Sequence, residues 1–291
     1  MITRSAVTWH TEDWQQQLSR VVTSVDELWQ LLELPDEALT GALQASRQFP
    51  LRVPRAFVAK IRKRDINDPL LRQIVPLGSE LLPPPDFVSD PLAERSSNPH
   101  QGLLHKYQSR VLVIAGSACA VHCRYCFRRH FPYQDNQLSQ TQFDALLDYL
   151  RQHPEVNEVI LSGGDPLVTS NARLQRWVEA LESLPQLTRL RLHTRTPVVV
   201  PERIDNGLLQ LLKHTRLKTI MVLHCNHANE LDSNFDHAMA HLKEASVTLL
   251  NQAVLLRGVN DSLDAQVELS ERLFDAGLLP YYLHLLDKVA G

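Results

Sequence analysis

From about Leu104 onward, short apolar runs alternate with amphipathic ones, and this alternation constrains the fold more than any other feature of the chain. The apolar runs Val111–Ala115, Glu158–Ser162, Arg189–Thr194, Thr219–His224, Thr248–Val254 and Tyr281–Leu285 read as strands. Between them, Phe143, Leu146, Leu147 and Leu150 share one helical face, as do Leu174, Trp177, Val178 and Leu181. Further helical stretches cover Asn206–His214, Asn234–Glu244 and Ser262–Ala276. Each strand thus returns through a helix, which requires parallel pairing, and such crossovers are right-handed. The expected fold class is α/β, a partial and open (β/α)6 barrel with its functional loops at the carboxyl ends of the strands.

Residues 1–103 read differently, as a mostly helical extension with a proline-rich linker, and residues 104–291 as the barrel core. Trp14, Leu18, Val21 and Val22 fall on one helical face. Ser24-Val25-Asp26-Glu27 is a capping box that opens a second helix through Leu32, and Pro35 stops it. Pro83, Pro84, Pro85, Pro91 and Pro99 make an extended connection to the core.

Composition excludes several classes. The formal charge of −3 comes without a block of like charge, so a role in coating nucleic acid is not expected. The longest uncharged apolar stretch, Val111 to Val121, is well short of the ~18 residues that a membrane span needs. The N-terminus is polar from the start and has no apolar signal core, which reads as a soluble cytoplasmic protein.

Of four cysteines, Cys119, Cys123 and Cys126 lie together as C-x3-C-x2-C directly after the first of the six strands, and Cys225 stands alone 99 residues further on. A disulfide framework would spread its cysteines. Three thiolates on one loop can hold three irons of a four-iron, four-sulfur cube and leave the fourth iron open. Cys225 is either a fourth thiolate, as in a closed electron-transfer cluster, or a small buried residue, and the second reading is preferred. Zinc is a further option, with His122 or His130 completing a tetrahedral site.

The cysteine loop resembles that of the radical S-adenosylmethionine (SAM) superfamily. Tyr107-x-x-Arg110, Cys126-Phe127-Arg128-Arg129, Ser162-Gly163-Gly164-Asp165-Pro166-Leu167, Arg195-Thr196-Pro197-Val198, Leu255-Leu256-Arg257-Gly258-Val259-Asn260-Asp261 and Pro280-Tyr281-Tyr282 are together similar to the lysine 2,3-aminomutases. Within that family the likeness is greatest to the bacterial branch that forms β-lysine for modification of translation elongation factor P. The resemblance runs from about residue 50 to the end of the chain.

It implies an isomerase that converts L-α-lysine to β-lysine with a [4Fe-4S] cluster, SAM and pyridoxal 5′-phosphate (PLP). Cys119, Cys123 and Cys126 would ligate the cluster. Tyr125, Ser162, Gly163, Gly164, Asp165, His224 and Gln252 would contact SAM, the glycines letting backbone approach the ligand closely. Tyr107 and Arg110 would lie by the PLP ring and phosphate. Arg128 would clamp the substrate carboxylate, a task suited to a planar guanidinium, and Asp261 would pair with a substrate ammonium. Competing readings are a plain tight turn for Gly163-Gly164, hydrogen-bonded core roles for His224 and Gln252, a strand-entry pair for Tyr107 and Arg110, and a helix cap for Asp261. Arg129 reads as a surface or phosphate-facing charge. Implied partners are the lysine substrate, an electron donor, the elongation factor P ligase and a homo-oligomer built through the N-terminal helices, with no nucleic acid and no membrane.

The family's PLP lysine lies beyond the sixth barrel strand, and none of the seven lysines here (Lys60, Lys63, Lys106, Lys213, Lys218, Lys243, Lys288) occupies that context. The expectation is a truncated chain with weak or no aminomutase turnover that still cleaves SAM, and with one face of its sheet left uncovered. An iron–sulfur electron-transfer protein and a zinc-stabilised binding module are the readings from other classes.

Overall fold

A computed structural model describes residues 13–82, 85–94, 99–131 and 138–290. Pro83, Pro84 and the N-terminal Met1–Arg4 lie outside the described residues. A seven-stranded sheet runs in the order β1 (Leu103–Tyr107), β2 (Arg110–Gly116), β3 (Glu158–Gly163), β4 (Arg189–Thr194), β5 (Lys218–His224), β6 (Thr248–Val254) and β7 (Leu279–His284). Strands β2 to β7 pair in parallel and are the six strands the sequence indicates. Strand β1 is the addition. It pairs antiparallel with β2, with Tyr107 opposite Arg110. Its five residues are too short and too polar after Leu104 to give a periodic signal.

Four short helices, α1 (Trp14–Ser19), α2 (Val25–Leu32), α3 (Leu39–Ala45) and α4 (Arg55–Val58), precede the sheet. Ser24 caps α2 through Glu27 N, as the capping box indicates. Helix α1 stops at Ser19, short of the expected Val22. Val22 instead bridges Val53 in extended backbone, which a β-branched side chain favours. The crossovers carry α5 (Gln140–Gln152), α6 (Asn171–Glu182), α7 (Thr196–Val199), α8 (Asn206–His214), α9 (Ser233–Glu244) and α10 (Leu263–Asp275). Side chains of Ser139, Asp205, Asp232 and Ser262 cap α5, α8, α9 and α10.

Strand alternation gives the sheet two unlike faces. Val111, Val113, Leu161, Leu190, Leu192, Met221 and Leu223 pack outward against Phe143, Leu150, Trp177, Leu181, Phe235 and Leu242 of the helices. The register puts Arg110, Glu158, Arg191, His193, His224, Gln252 and Tyr282 together on the other face. Among the described residues, no helix is long and apolar enough to cross a membrane. At the far edge, Leu279, Tyr281 and Leu283 of β7 and Phe274 of α10 are exposed.

A second core joins the N-terminal helices to the cysteine loop. Trp14, Val22, Leu28, Trp29, Phe57, Leu70 and Ile74 pack with Ala120 and Val121, which lie between the cysteines, and with Val199 and Val200. The extension is therefore one wall of the cysteine loop. Leu28 is fully buried in this core. Leu28→Ala is expected to cost about 2–5 kcal/mol, read from urea unfolding of the metal-free protein. It should also weaken iron retention after reconstitution, because the loop loses part of its support.

Candidate active site at the carboxyl ends of the strands

Strand β2 ends at Gly116, and the next fifteen residues double back in successive tight turns, with Cys126 N bonding Cys123 O at 3.1 Å and Arg129 N bonding Cys126 O at 3.2 Å. Cys119, Cys123 and Cys126 are free thiols on this one loop, each half-buried. From outside, the extension grips the loop backbone. Arg52 Nε donates to Cys119 O at 2.8 Å, His122 N to Arg52 O at 2.9 Å and Arg124 N to Gln73 O at 2.9 Å. The Arg124 side chain reaches Phe49 O at 2.8 Å and pairs with Glu80. Arg129 also lies on Glu80, at 3.3 Å, with its side chain buried, and so is not a surface charge.

From inside, the turn after β3 closes on the same loop. Gly164 N donates to Gly116 O and Asp165 N to Ala118 O, both at 2.8 Å. Gly163 has φ +108°, and a Cβ there would meet Gly116 O at 2.9 Å. A Cβ on Gly164 would sit 2.4 Å from Ala118 O. Both glycines are needed for the approach of this turn to the cysteine loop itself, which differs from the ligand approach expected of them. Asp165 is also occupied. Its buried carboxylate accepts from Leu167 N at 3.0 Å, Thr194 Oγ1 at 2.6 Å, Arg195 N at 2.8 Å and Thr196 N at 2.9 Å, stitching the ends of β3 and β4 together. Burial raises its pKa against the pull of these bonds.

A buried polar network centred on Arg195 backs the loop. The Arg195 guanidinium donates to Cys123 Sγ at 2.8 Å, Gln73 Oε1 at 2.7 Å and Glu230 Oε2 at 2.9 Å, and also to the Tyr125 hydroxyl. Asn226 Nδ2 reaches the same hydroxyl at 2.6 Å and Gln73 Oε1 at 2.9 Å. Tyr125 lies beside the His224 ring, 5.4 Å between centroids. Burial pushes the Tyr125 hydroxyl well up, only partly opposed by Arg195. Arg195 was visible only as part of a motif, and Gln73, Asn226 and Glu230 carry no spacing that marks them.

Two rings on the inner face have a buried, unpartnered nitrogen, His193 Nε2 and His224 Nε2. Gln252 lies beside His224 in register. Arg128 is buried and forks a carboxylate, Nε and Nη2 bonding Glu94 at 2.8 and 2.6 Å, while Nη1 reaches Ser162 Oγ at 3.2 Å. The expected carboxylate fork exists, but its partner here is a side chain of this chain. Asp261 is exposed after β6, where its Oδ1 accepts Gly258 N at 2.8 Å. The cap of α10 is Ser262, so Asp261 braces a turn and does not cap the helix. Arg110 begins β2, about 20 Å along that strand from the cysteine loop at ~3.3 Å per residue. Its guanidinium lies 4.6 Å over the Tyr107 ring, with Nε buried and unpartnered.

The donor set suits an iron–sulfur cube. Burial raises the Cys126 thiol to about 11. Burial, then Asp165 and the other two thiols, raise Cys119 well above its ordinary value. Such thiols give up their protons when a cationic centre repays the cost. No group of three His, Cys, Asp or Glu side chains among the described residues is gathered to hold a single ion. A zinc site would need its donors about 2.3 Å from one point. His122 Nδ1 and His130 Nε2 are hydrogen-bonded to Pro50 O at 2.8 Å and Ala290 O at 2.7 Å. Cys225 is fully buried, with Sγ directed to His227 O at 3.4 Å, as the small-core-residue reading has it.

Comparison with known proteins fits this site. The Radical SAM superfamily profile matches residues 113–265, from within β2 through the cysteine loop and past the end of β6. Over 281 residues the chain is 48% identical to the L-lysine 2,3-aminomutase of Escherichia coli, covering 96% of this chain and 82% of that protein. The chain belongs to the lysine 2,3-aminomutase family of radical SAM isomerases. The Haemophilus influenzae L-lysine 2,3-aminomutase is 46% identical over 96% of this chain and 83% of its own length, and the Clostridium subterminale enzyme is 35% identical over 96% and 67%. Membership in the radical SAM superfamily implies a [4Fe-4S] cluster and SAM.

Two outcomes follow from the geometry. Gly164→Ala should prevent full iron loading while leaving the helical circular dichroism intact, since its Cβ lands on the loop backbone. Separately, His193 and His224 are each held down to about 3, chiefly by burial, with Arg191 and Arg128 adding at His193 and Arg195 at His224. Their ordinary value is 6.5, so between those limits the unfolded chain binds protons that the folded chain refuses, and stability falls as pH falls. His224→Gln should flatten that acid slope in the metal-free protein by about 1.4 kcal/mol per pH unit between pH ~6 and ~4, read from denaturant midpoints.

Proposed function

We propose that this isomerase converts L-α-lysine to β-lysine. The observation that carries the reading is the juxtaposition of the three-thiol loop with a carboxylate fork, Arg128, two residues after the third cysteine. Bound at Cys119, Cys123 and Cys126, the cluster would supply one electron to SAM and so a radical able to take hydrogen from the substrate. Tyr125, Ser162, His224 and Gln252 line the SAM side, the unpartnered His224 Nε2 offering a hydrogen-bonding site there. Gly163, Gly164 and Asp165 hold the wall of that pocket, and Asp165 has little capacity left for a ligand. Arg128 orients the amino acid by its carboxylate, in exchange for Glu94. Asp261 takes the far ammonium group. Arg128, Ser162 and Asp165 at this end of the sheet are buried, which suits radical chemistry.

PLP belongs to this reading through Arg110 and Tyr107. The buried Arg110 Nε suits a phosphate, and the ring beneath it suits an aromatic neighbour. The anchor is a different matter. Lys60 bonds Glu230 O and Asp232, Lys63 bonds Glu33 and Lys106 bonds Leu92 O, while Lys213, Lys218, Lys243 and Lys288 are exposed. None of these seven fits a PLP-holding lysine. The electron comes from a low-potential one-electron donor, and the β-lysine serves the ligase that modifies elongation factor P.

The test is anaerobic reconstitution with iron and sulfide, then dithionite, SAM, PLP and lysine, followed by mass spectrometry. Deoxyadenosine release that depends on the three cysteines is expected, with weak β-lysine formation. Absence of deoxyadenosine from a fully loaded protein would overturn the proposal. Arg128→Ala should raise the lysine concentration that half-saturates deoxyadenosine release by up to about tenfold, less than the full worth of a charged bidentate contact, because in the parent the substrate carboxylate replaces Glu94 there.

A further inference from the structure

We propose that Arg195 is a positioning residue that sets the reduction potential of the cluster held by Cys119, Cys123 and Cys126, and that Glu230 opposes it. The inference rests on the reading of those cysteines as cluster ligands and adds an assignment to two residues outside that set.

Arg195 follows β4 and is buried, and its guanidinium approaches one ligand sulfur, Cys123 Sγ, at 2.8 Å. A hydrogen bond to a ligand sulfur from a cation favours the form of the cluster carrying more negative charge, which is the reduced one. Burial strengthens that effect, because little water screens it. The placement is fixed from several sides. Arg195 N is held by Asp165 at 2.8 Å, and the guanidinium lies 5.8 Å from the Phe57 ring centroid. Its Nη2 contacts Gln73 of the N-terminal extension and Glu230.

Glu230 is fully buried and pairs with Arg195 at 2.9 Å. Besides Arg195 it accepts from Gln73 Nε2 at 3.1 Å, Asn226 N at 2.8 Å and His227 N at 3.0 Å. It keeps the guanidinium from being an uncompensated buried charge. It also moderates the field at Cys123. Substitutions at the two positions should therefore move the potential in opposite directions, a pattern that simple loosening of the loop does not produce.

The experiment is a dithionite titration of the reconstituted chain, residues 1–291, with redox mediators, followed by electron paramagnetic resonance of the reduced cluster. One electron enters the cluster from dithionite. Arg195→Gln should shift the midpoint to more negative potential, and Glu230→Gln to more positive potential, at iron and sulfide loading equal to the parent. Arg195→Lys, a cation without the fork, should fall between parent and Arg195→Gln. Unchanged midpoints in loaded variants, or shifts of the same sign at both positions, overturn the proposal. If Arg195→Gln does not retain a cluster, Glu230→Gln and Arg195→Lys decide it on the same criteria. A parent protein with no four-iron signal would instead refute the cluster reading itself.

Discussion

The site depends on one constraint, the closure of the Gly163-Gly164 turn onto the backbone of the cysteine loop. With a Cβ contact of 2.4 Å at Gly164, any side chain there forces β3 away from the end of β2. The N-terminal extension presses on the same loop from the other side through Arg52, Gln73 and Glu80. A fifteen-residue loop has too few internal contacts to hold three thiols in place by itself, and backbone ordering costs ~1–2 kcal/mol per residue. Clamping between two bodies moves that cost into folding, so the loop backbone is ordered before anything binds.

Charge is handled by the same economy. Asp165, Arg195, Glu230, Arg128 and Glu94 are all buried, and each has a partner of opposite charge or several hydrogen bonds. Among the buried side-chain atoms without a hydrogen-bond partner are His193 Nε2, His224 Nε2 and the Nε atoms of Arg110, Arg129 and Arg195. Those on the inner face, His193, His224 and Arg110, mark where polar capacity is left over within the sheet.

Much of the frame was legible because strand and helix periods repeat for nearly two hundred residues. The limits of β4, β6 and α8 match the sequence-based ranges residue for residue. The exceptions are local. Strand β1 has only two apolar residues in its pattern, and α1 yields to a β bridge at Val22. In the site, the three cysteines stand out by spacing alone. Gly163 and Gly164 stand out too, but their purpose becomes visible only with the loop backbone beside them. Glu230 and Gln73 could not be found that way, since a buried glutamate looks in sequence like any surface one. The contact between them spans 157 positions.

Arg128 shows how a buried charge is satisfied within the protein itself. A guanidinium this buried needs a counter-charge whether or not substrate is present, since an unpaired buried charge costs several kcal/mol. Glu94 supplies it with the side-on geometry a ligand carboxylate would use. In the proposed reaction the amino acid therefore does not gain the full energy of a new ion pair. It exchanges one carboxylate for another, and net affinity comes from the remaining contacts along the substrate. Discrimination between amino acids then falls to the group that meets the distal ammonium, because every amino acid brings the same carboxylate to Arg128.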